Sequence, residues 1–502
     1  MSPVFLTCEL REIESMEQRT LAPGTLMERA GHGAAGWLHR WVGETRTSFL
    51  VLCGPGNNGG DGFVCARNLR ELGHSVQCWA PLASGTNDAT GARQAWLQAG
   101  GTIQTILPAA PDPPAGGDRH RGKAQGGDVV VDAMFGIGLG RPLQGVFLAA
   151  ADWTRASGAR TVALDVPSGL DADTGSWVGE VAGVTADATL TFLGDKPGLH
   201  MADGCDCAGL VHVDRLGIAD RPSRGRLNAP GQFGPVLARR PGNSHKGRFG
   251  NVAVIGGAPG MTGAAILAAR ACLRLGSGRV YLCCIGQPSP GWDPLCPELM
   301  FRSLEELPAV DAIVVGCGLG QSDEAQRALR LALASPAALV VDADALNLIA
   351  ASPPLARTLA ERRSPQVITP HPLEAARLLD SGTGARVSGD RVGTCTELAA
   401  RYRAVSVLKG AGSVIVDGSD TRLPYWINAT GGPALATAGT GDVLSGMIGA
   451  QLAQGHDALS GTLASVWLHG RAAQLHQADL GLLASEVATL AAQELSELKR
   501  RR

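Results

Sequence analysis

Asn428-Ala-Thr-Gly-Gly-Pro-Ala-Leu-Ala-Thr-Ala-Gly-Thr-Gly-Asp-Val-Leu-Ser-Gly446 is the stretch on which the rest of the chain turns. Its centre, Ala438-Gly439-Thr440-Gly441-Asp442, precedes Val443, Leu444, Met447, Ile448 and Leu452, an apolar set with helical spacing. That spacing predicts that the glycines sit at a helix N-terminus. Backbone N–H groups there have no intrahelical partner, and the helix dipole is positive at that end. Glycines leave room for a phosphate to reach those donors. Asp442 repels an anion and is out of place unless it has chemical work. A base taking a proton from a hydroxyl that faces a phosphoryl group would supply that work. The competing reading is a helix cap, for which Asp is well suited. The motif alone leaves both open.

The chain has 502 residues, which points to two domains. It carries 68 glycines and only 4% aromatic residues, a balance suited to tight βα turns and close helix–sheet packing. A net charge of −2 gives no electrostatic footprint for nucleic acid. No apolar run is long enough to span a bilayer. The first residues carry acids early and lack the apolar core of a signal peptide, so a cytoplasmic location is expected. The twelve cysteines include no C-x-x-C, and Cys205/Cys207 and Cys283/Cys284 are the close pairs. Buried thiols in a reducing compartment are expected, rather than a zinc site or disulfides.

Residues from about Thr7 to Trp41 read as helical. A strand, Ser48–Cys53, then runs into Gly54-Pro-Gly-Asn-Asn-Gly-Gly-Asp-Gly62, followed by a helix from Phe63 to Leu72 and a strand at Ser75–Trp79. Strand, glycine loop, helix and strand open a Rossmann-like βαβ unit. Residues 108–127 hold almost no large apolar side chain and read as a mobile surface insert. Further buried strands end in Asp132, before the Gly136–Pro142 loop, and in Asp165, before Val-Pro-Ser168-Gly. In an open α/β sheet such carboxyl edges converge on one ligand-binding crevice. Either aspartate, taken alone, also suits a helix cap.

A boundary is expected at 219–228, within an Arg-, Pro- and Gly-rich stretch. Beyond it the pattern restarts with Ser244–Gly257, a helix from Gly263 to Arg274, and strands near 279–285, 312–316, 338–342, 367–369 and 406–409. The loop motifs differ from those of the first half, so this is a second α/β domain and not a repeat.

The second half resembles the ribokinase-like superfamily, and within it the NAD(P)HX dehydratases. The resemblance rests on His245-Lys-Gly247, Gly256-Gly257, Gly263-Ala264, Gly316-Cys-Gly-Leu-Gly320, Asp342-Ala-Asp-Ala-Leu-Asn347, Thr369-Pro-His-Pro372, Lys409-Gly-Ala-Gly-Ser413 and Ala438–Asp442. The first half resembles the NAD(P)HX epimerases through Asn57-Asn-Gly-Gly-Asp61, Asp132, Gly136–Pro142 and Asp165–Gly169. Fused chains of this order are bifunctional nicotinamide-nucleotide repair enzymes. The implied architecture is a Rossmann-like three-layer sandwich over 1–222, then a ribokinase-like α/β domain over 223–502. Three positions depart from the family pattern: Cys317 and Gly432 stand where it has Pro and Asn, and Leu373 where it has Gly.

The resemblance implies two reactions on a nicotinamide ring hydrated at C6. Epimerisation of the R and S forms would use Asp165. Its substrate would be held by Asn57, Asn58, Gly59, Gly60 and Asp61 and by Gly136, Ile137, Gly138, Leu139, Gly140, Arg141 and Pro142. Asn58, Asp132 and Ser168 match the family's potassium positions, and oxygen donors suit that ion. Dehydration of the S form would use Asp442 as base, with Ala264, Gly318 and His371 at the substrate. A fold-stabilising role competes for His371. Lys409, Gly410, Ala411, Gly412, Ser413 and Gly441 would bind ADP or AMP, since backbone donors and one point charge suit phosphates. ADP, with Mg2+, is the expected donor, because the fused arrangement is the bacterial one and no targeting segment is seen. Partners would be NADHX, NADPHX and the nucleotide, with no nucleic acid or membrane; a homo-oligomer is left open. The alternative is an ATP-dependent small-molecule kinase carrying a non-catalytic nucleotide-binding first domain.

Overall fold

The computed structural model describes residues 3–108, 129–286, 291–380, 387 and 389–501. From residue 109 on, the expected mobile insert lies outside them. The chain divides into two compact units, Ser2–Ser223 and Arg224–Arg502.

The sheet of the first unit has seven strands in the spatial order Ile103–Gln104, Ser75–Trp79, Ser48–Cys53, Val129–Ala133, Arg160–Leu164, Ala188–Phe192 and Leu210–Asp214. All neighbours are parallel. The order turns round at Ser48–Cys53, next to Val129–Ala133, and such a switch point opens a crevice at the carboxyl edge. The middle strands Ser48–Cys53 and Val129–Ala133 are apolar apart from Ser48 and Asp132, because helices cover both faces. Alternate residues divide between two cores: Phe49, Val51 and Val131 on one side, Leu50, Leu52 and Val130 on the other.

The helix that follows Ser48–Cys53 departs from the sequence reading. The helix after the first strand begins at Asn57, not at Phe63, so the expected Asn-Asn-Gly-Gly-Asp loop is its first turn and a half. Gly59 permits this. A Cβ there would lie 1.9 Å from the Gly54 carbonyl oxygen, so the helix enters against the strand end only without a side chain.

In the second unit the spatial order is Gly225–Leu227, Tyr425–Asn428, Ser413–Asp417, Val405–Leu408, Gln366–Ile368, Ala338–Val341, Ala312–Val315, Asn251–Gly256, Arg279–Cys284 and Met300–Phe301. Ser413–Asp417 is antiparallel to both its neighbours, and the remaining pairs are parallel. Gly225–Leu227 lies inside the stretch read as a boundary without periodicity; it pairs with Tyr425–Asn428.

The helix Thr440–Ala453 packs on the face formed by Val252, Val254, Val314 and Val340. Val443, Leu444, Met447, Ile448 and Leu452 are all buried, and so is nearly every other side chain of this helix. Small residues make that possible. A Cβ on Gly446 would lie 2.1 Å from the Ala268 carbonyl oxygen of the neighbouring helix, Thr262–Arg274. Gly446→Ala therefore forces the two helices apart, and overpacking of this kind costs about 1–3 kcal/mol. Urea unfolding of the variant is expected to show that loss; an unchanged midpoint would mean that the helices slide apart freely.

Candidate functional site

The carboxyl edge of the first sheet gathers Asn58, Asp132, Asp165 and Ser168. Asp132, the last residue but one of its strand, has no solvent exposure. Its Oδ2 accepts the Ser168 N–H at 2.8 Å, and its Oδ1 accepts the Ser168 hydroxyl at 2.7 Å and the Met134 N–H at 3.2 Å. Burial pushes its carboxyl up to about 6 against those donors. Asn58 donates through Nδ2 to the Leu164 carbonyl at 3.2 Å, while its buried Oδ1 has no partner among the described residues. An orphaned amide oxygen, a buried carboxylate and a serine oxygen make a hard-oxygen donor set. That set fits a weakly charged cation such as potassium.

Asp165 sits just past its strand with φ at 67°. Its Oδ2 accepts the Ile137 N–H at 3.1 Å, which ties it to the Gly136–Pro142 loop. Its Oδ1 lies 2.9 Å from Nζ of Lys196, a lysine that is 1% exposed. Lys196 also donates to Thr191 Oγ1 and to the Phe192 and Gly194 carbonyls at 2.6, 3.0 and 3.2 Å. Sequence reading missed Lys196; a lysine four residues past the strand Ala188–Phe192 was the available signal. Asp61 faces the same charges. Burial, joined by Asp165 and Glu14, pushes it well above the usual carboxylate range. Glu14 is raised as well, by burial first and then by Asp165. Asn57 is exposed and accepts from the Thr86 hydroxyl at 2.7 Å, and Arg141 is exposed on its loop.

At the carboxyl edge of the second sheet the helix Thr440–Ala453 starts beside Asp342. Asp342 caps the helix Ala343–Ala350 and is 1% exposed. Its Oδ1 takes Lys409 Nζ at 2.7 Å and its own helix's first N–H at 2.9 Å, and its Oδ2 takes the Ser445 hydroxyl at 2.6 Å. Lys409 follows the strand Val405–Leu408, and its ammonium lies 3.5 Å from where a Gly441 Cβ would be. Burial works against the ammonium, but Asp342 and Glu374 outweigh it, so the lysine's pKa is raised. Asp442 stands one residue beyond Gly441. Burial, then the negative charges of Asp342 and Asp344, push it up to about 6, while Cys317 and Lys409 act in the opposite direction.

Arg391, which no sequence motif marked, donates to the carbonyls of Leu408, Lys409 and Gly412 and shapes the Lys409–Ser413 loop. Ser413 closes that loop onto the Gly410 carbonyl at 3.1 Å. Gly318 and Ala264 face each other, a Cβ on the former lying 3.2 Å from the latter. His371 caps the helix Pro372–Leu378: its Nδ1 accepts the Leu373 and Glu374 N–H groups at 3.1 and 3.3 Å. Its Nε2 is 3.2 Å from Glu374 Oε1, so the ring is already committed to holding the helix start. Among the described residues the one group with metal-ligand spacing is Cys317, Asp342 and Asp442. Magnesium prefers an all-oxygen shell, so this thiol-containing set, with Asp342 taken by Lys409 and Ser445, does not fit it.

The geometry defines a two-unit α/β protein, each unit presenting a lysine–aspartate pair and a second carboxyl at its sheet's carboxyl edge. The family models agree with that division: residues 252–497 match the NAD(P)H-hydrate dehydratase model, and 23–198 the YjeF-related protein N-terminus. A bifunctional NAD(P)H-hydrate repair enzyme of Escherichia coli is 36% identical over 471 residues, spanning 91% of this chain and 86% of that one. Another, from Coxiella burnetii, is 35% identical over 505 residues and covers 97% of this chain and 98% of its own. Among solved structures, the ADP/ATP-dependent NAD(P)H-hydrate dehydratase of Bacillus subtilis, co-crystallised with ATP and Mg2+, is 29% identical. It covers 54% of this chain and 98% of its own, with a TM-score of 0.48. The chain belongs to the family of bifunctional NAD(P)H-hydrate repair enzymes.

Removing Lys196 leaves the Asp165 carboxylate and three further acceptors without their donor. Breaking a buried pair from one side costs about 3–5 kcal/mol. Lys196→Met is expected to lower the first unit's stability to chemical denaturation by that order; a loss below about 1 kcal/mol would show water replacing the ammonium.

Proposed function

We propose that residues 223–502 restore hydrated NADH and NADPH by ADP-driven dehydration of the S form, and that residues 1–222 interconvert the R and S forms. The observation that carries the reading is the placement of Asp442 at the amino end of a buried helix, one residue from a glycine that Lys409 faces. Hydroxide is a poor leaving group at neutral pH, and phosphate is a good one. Asp442 takes the proton of the C6 hydroxyl while the helix N-terminus at Gly439–Gly441 receives the phosphoryl group passing from ADP. Phosphate then departs with assistance from the lone pair of ring nitrogen N1. Loss of a C5 proton restores the dihydropyridine, and AMP and phosphate are released. Lys409 and the Gly410–Ser413 loop hold the donor, and Ala264 and Gly318 border the substrate. His371 contributes through the helix it caps. Magnesium, when present, would travel with the donor's phosphates.

Epimerisation needs only reversible loss of the C6 hydroxyl. Asp61, pushed well above the usual carboxylate range by burial and by Asp165 and Glu14, supplies an acid where the Asp165 carboxylate supplies a base. Asp61 gives its proton to the departing oxygen, which leaves as water. Water then returns to either face of C6 and gives up a proton to the carboxylates. Asn57–Asp61 and Gly136–Pro142 border the nucleotide. Asn58, Asp132 and Ser168 would hold potassium, which supplies positive charge beneath this crevice.

The two assignments separate cleanly by experiment. With racemic hydrate and ADP, Asp442→Asn is expected to cut dehydration by roughly 10²–10⁴-fold while R/S exchange, followed by chromatography, continues. Asp165→Asn should spare dehydration of pure S hydrate and leave R to disappear at its spontaneous rate, giving a biphasic return of dihydronicotinamide absorbance. Asp442→Asn with near-normal turnover reduces that residue to a helix cap; fast R consumption in Asp165→Asn removes it from the epimerase. ATP outperforming ADP in the same assay would overturn the donor assignment.

A bound cation stabilises the folded state by an amount that grows with the logarithm of its concentration relative to its Kd. Exchanging potassium for choline is therefore expected to lower the melting temperature of the first unit in the parent and to leave Asp132→Asn unchanged. Equal shifts in both proteins would place the ion elsewhere.

A further inference from the structure

Cys317 is the side chain of the second site for which dehydration has given no role. It lies in the loop after the strand Ala312–Val315 and has no solvent exposure. Its carbonyl oxygen accepts the Gly257 N–H at 3.0 Å, and a Cβ on Gly256 would fall 2.1 Å from that oxygen, so the backbone is pinned from two residues. The Sγ so placed shares a cluster with carboxylate oxygens of Asp342 and Asp442, all three within 4.8 Å of one another. Asp342 already accepts from Lys409, Ser445 and a backbone N–H. Asp442 is the carboxylate left for the thiol proton, and the two side chains are neighbours in that cluster, each acting on the other's ionisation.

We propose that Cys317 is a positioning residue for dehydration: its buried thiol donates to the Asp442 carboxylate and holds it toward the hydroxyl of the hydrated ring. This rests on Asp442 being the base. A thiol is a weak donor that burial keeps protonated, so it orients the carboxylate without competing for the substrate's proton. The thiolate is suppressed further by the two neighbouring aspartates.

The groups facing Asp442 are Asp342 and Asp344 after the strand Ala338–Val341, Lys409 after Val405–Leu408, and Cys317. From the helix Ala458–His476, His469 reaches the Thr440 carbonyl at 2.9 Å and is pushed down to about 4 by burial, so it stays neutral. A donor to the ionised form lowers a carboxyl's pKa, and its removal raises it. As pH falls, the base is lost by protonation, so activity declines on the acid side.

Dehydration of (S)-NADHX with ADP is to be measured from pH 5 to 8 for the parent, Cys317→Ala and Cys317→Ser. In Cys317→Ala the acid limb of kcat/KM is expected roughly half to one pH unit higher, with kcat down roughly two- to tenfold and KM for ADP unchanged. Cys317→Ser, which keeps a donor, should return the limb to its parental position. Superimposable limbs in the parent and Cys317→Ala overturn the proposal and leave Cys317 as packing. Full turnover in Asp442→Asn, by contrast, overturns the base and not the thiol contact. Should Cys317→Ala fail to fold, the infrared S–H band decides. The difference spectrum of Asp442→Asn against the parent is expected to show one thiol band moving as its carboxylate acceptor is lost, and no moving band overturns the proposal.

Discussion

A lysine ammonium held against an aspartate at the carboxyl edge of a parallel sheet is the interaction on which each unit depends. Lys196 and Asp165 meet at 2.9 Å in the first unit, and Lys409 and Asp342 at 2.7 Å in the second. Neither pair is a surface ornament: Lys196 and Asp342 are almost wholly buried. Charges taken out of water are tolerable only when the remaining donors and acceptors are satisfied. Here they are, by Thr191 and two carbonyls around Lys196, and by Ser445 and a helix N–H around Asp342. The strand ends, a loop and a helix start are fixed together by charge, where apolar packing has run out.

Each pair also sets the character of a second carboxyl. In the second unit the negative charge of Asp342 adds to burial in raising Asp442 to about 6, the range that its proposed role as base requires near neutrality. In the first unit Asp165 and Glu14 add to burial in raising Asp61, the direction that its proposed role as acid requires. The same arrangement of charge thus suits both proposed roles, a base in one crevice and an acid in the other. The difference lies in the counterweights: Cys317 and Lys409 draw Asp442 down, whereas burial, Asp165 and Glu14 all push Asp61 up.

Much of this was legible in the sequence because parallel strands buried on both faces read as uninterrupted apolar runs, and the carboxylates that end them are conspicuous. The run from Val443 to Leu452 forecast the buried helix behind Asp442. What stayed hidden depends on distances between elements far apart in the chain. Gly54–Gly62 looked like a loop because glycine lowers helix propensity; only the approach of Gly59 to the Gly54 carbonyl shows why a helix there excludes larger residues. Lys196 and Arg391 belong to no periodic pattern, and their importance lies in the carbonyls they reach. The short strand Gly225–Leu227 exists because Tyr425–Asn428 offers it an edge, which local composition does not record. His371 stood in a recognisable motif, yet its Nδ1 serves the helix cap, a choice that follows from the Glu374 beside it.

Stereochemistry explains why two such units belong on one chain. Hydration of the ring at C6 creates both configurations, and a base fixed at the start of a rigid helix, the role proposed for Asp442, addresses only one face of that carbon. Dehydration alone would leave the other diastereomer as a growing residue. Exchange between the two needs no energy input, since bonds broken and formed at C6 are the same; phosphoryl transfer supplies the direction. Removal of S by the second unit therefore draws R through the first by mass action. This coupling requires neither a channel nor contact between the sites, only that the reversible reaction keep pace with the irreversible one.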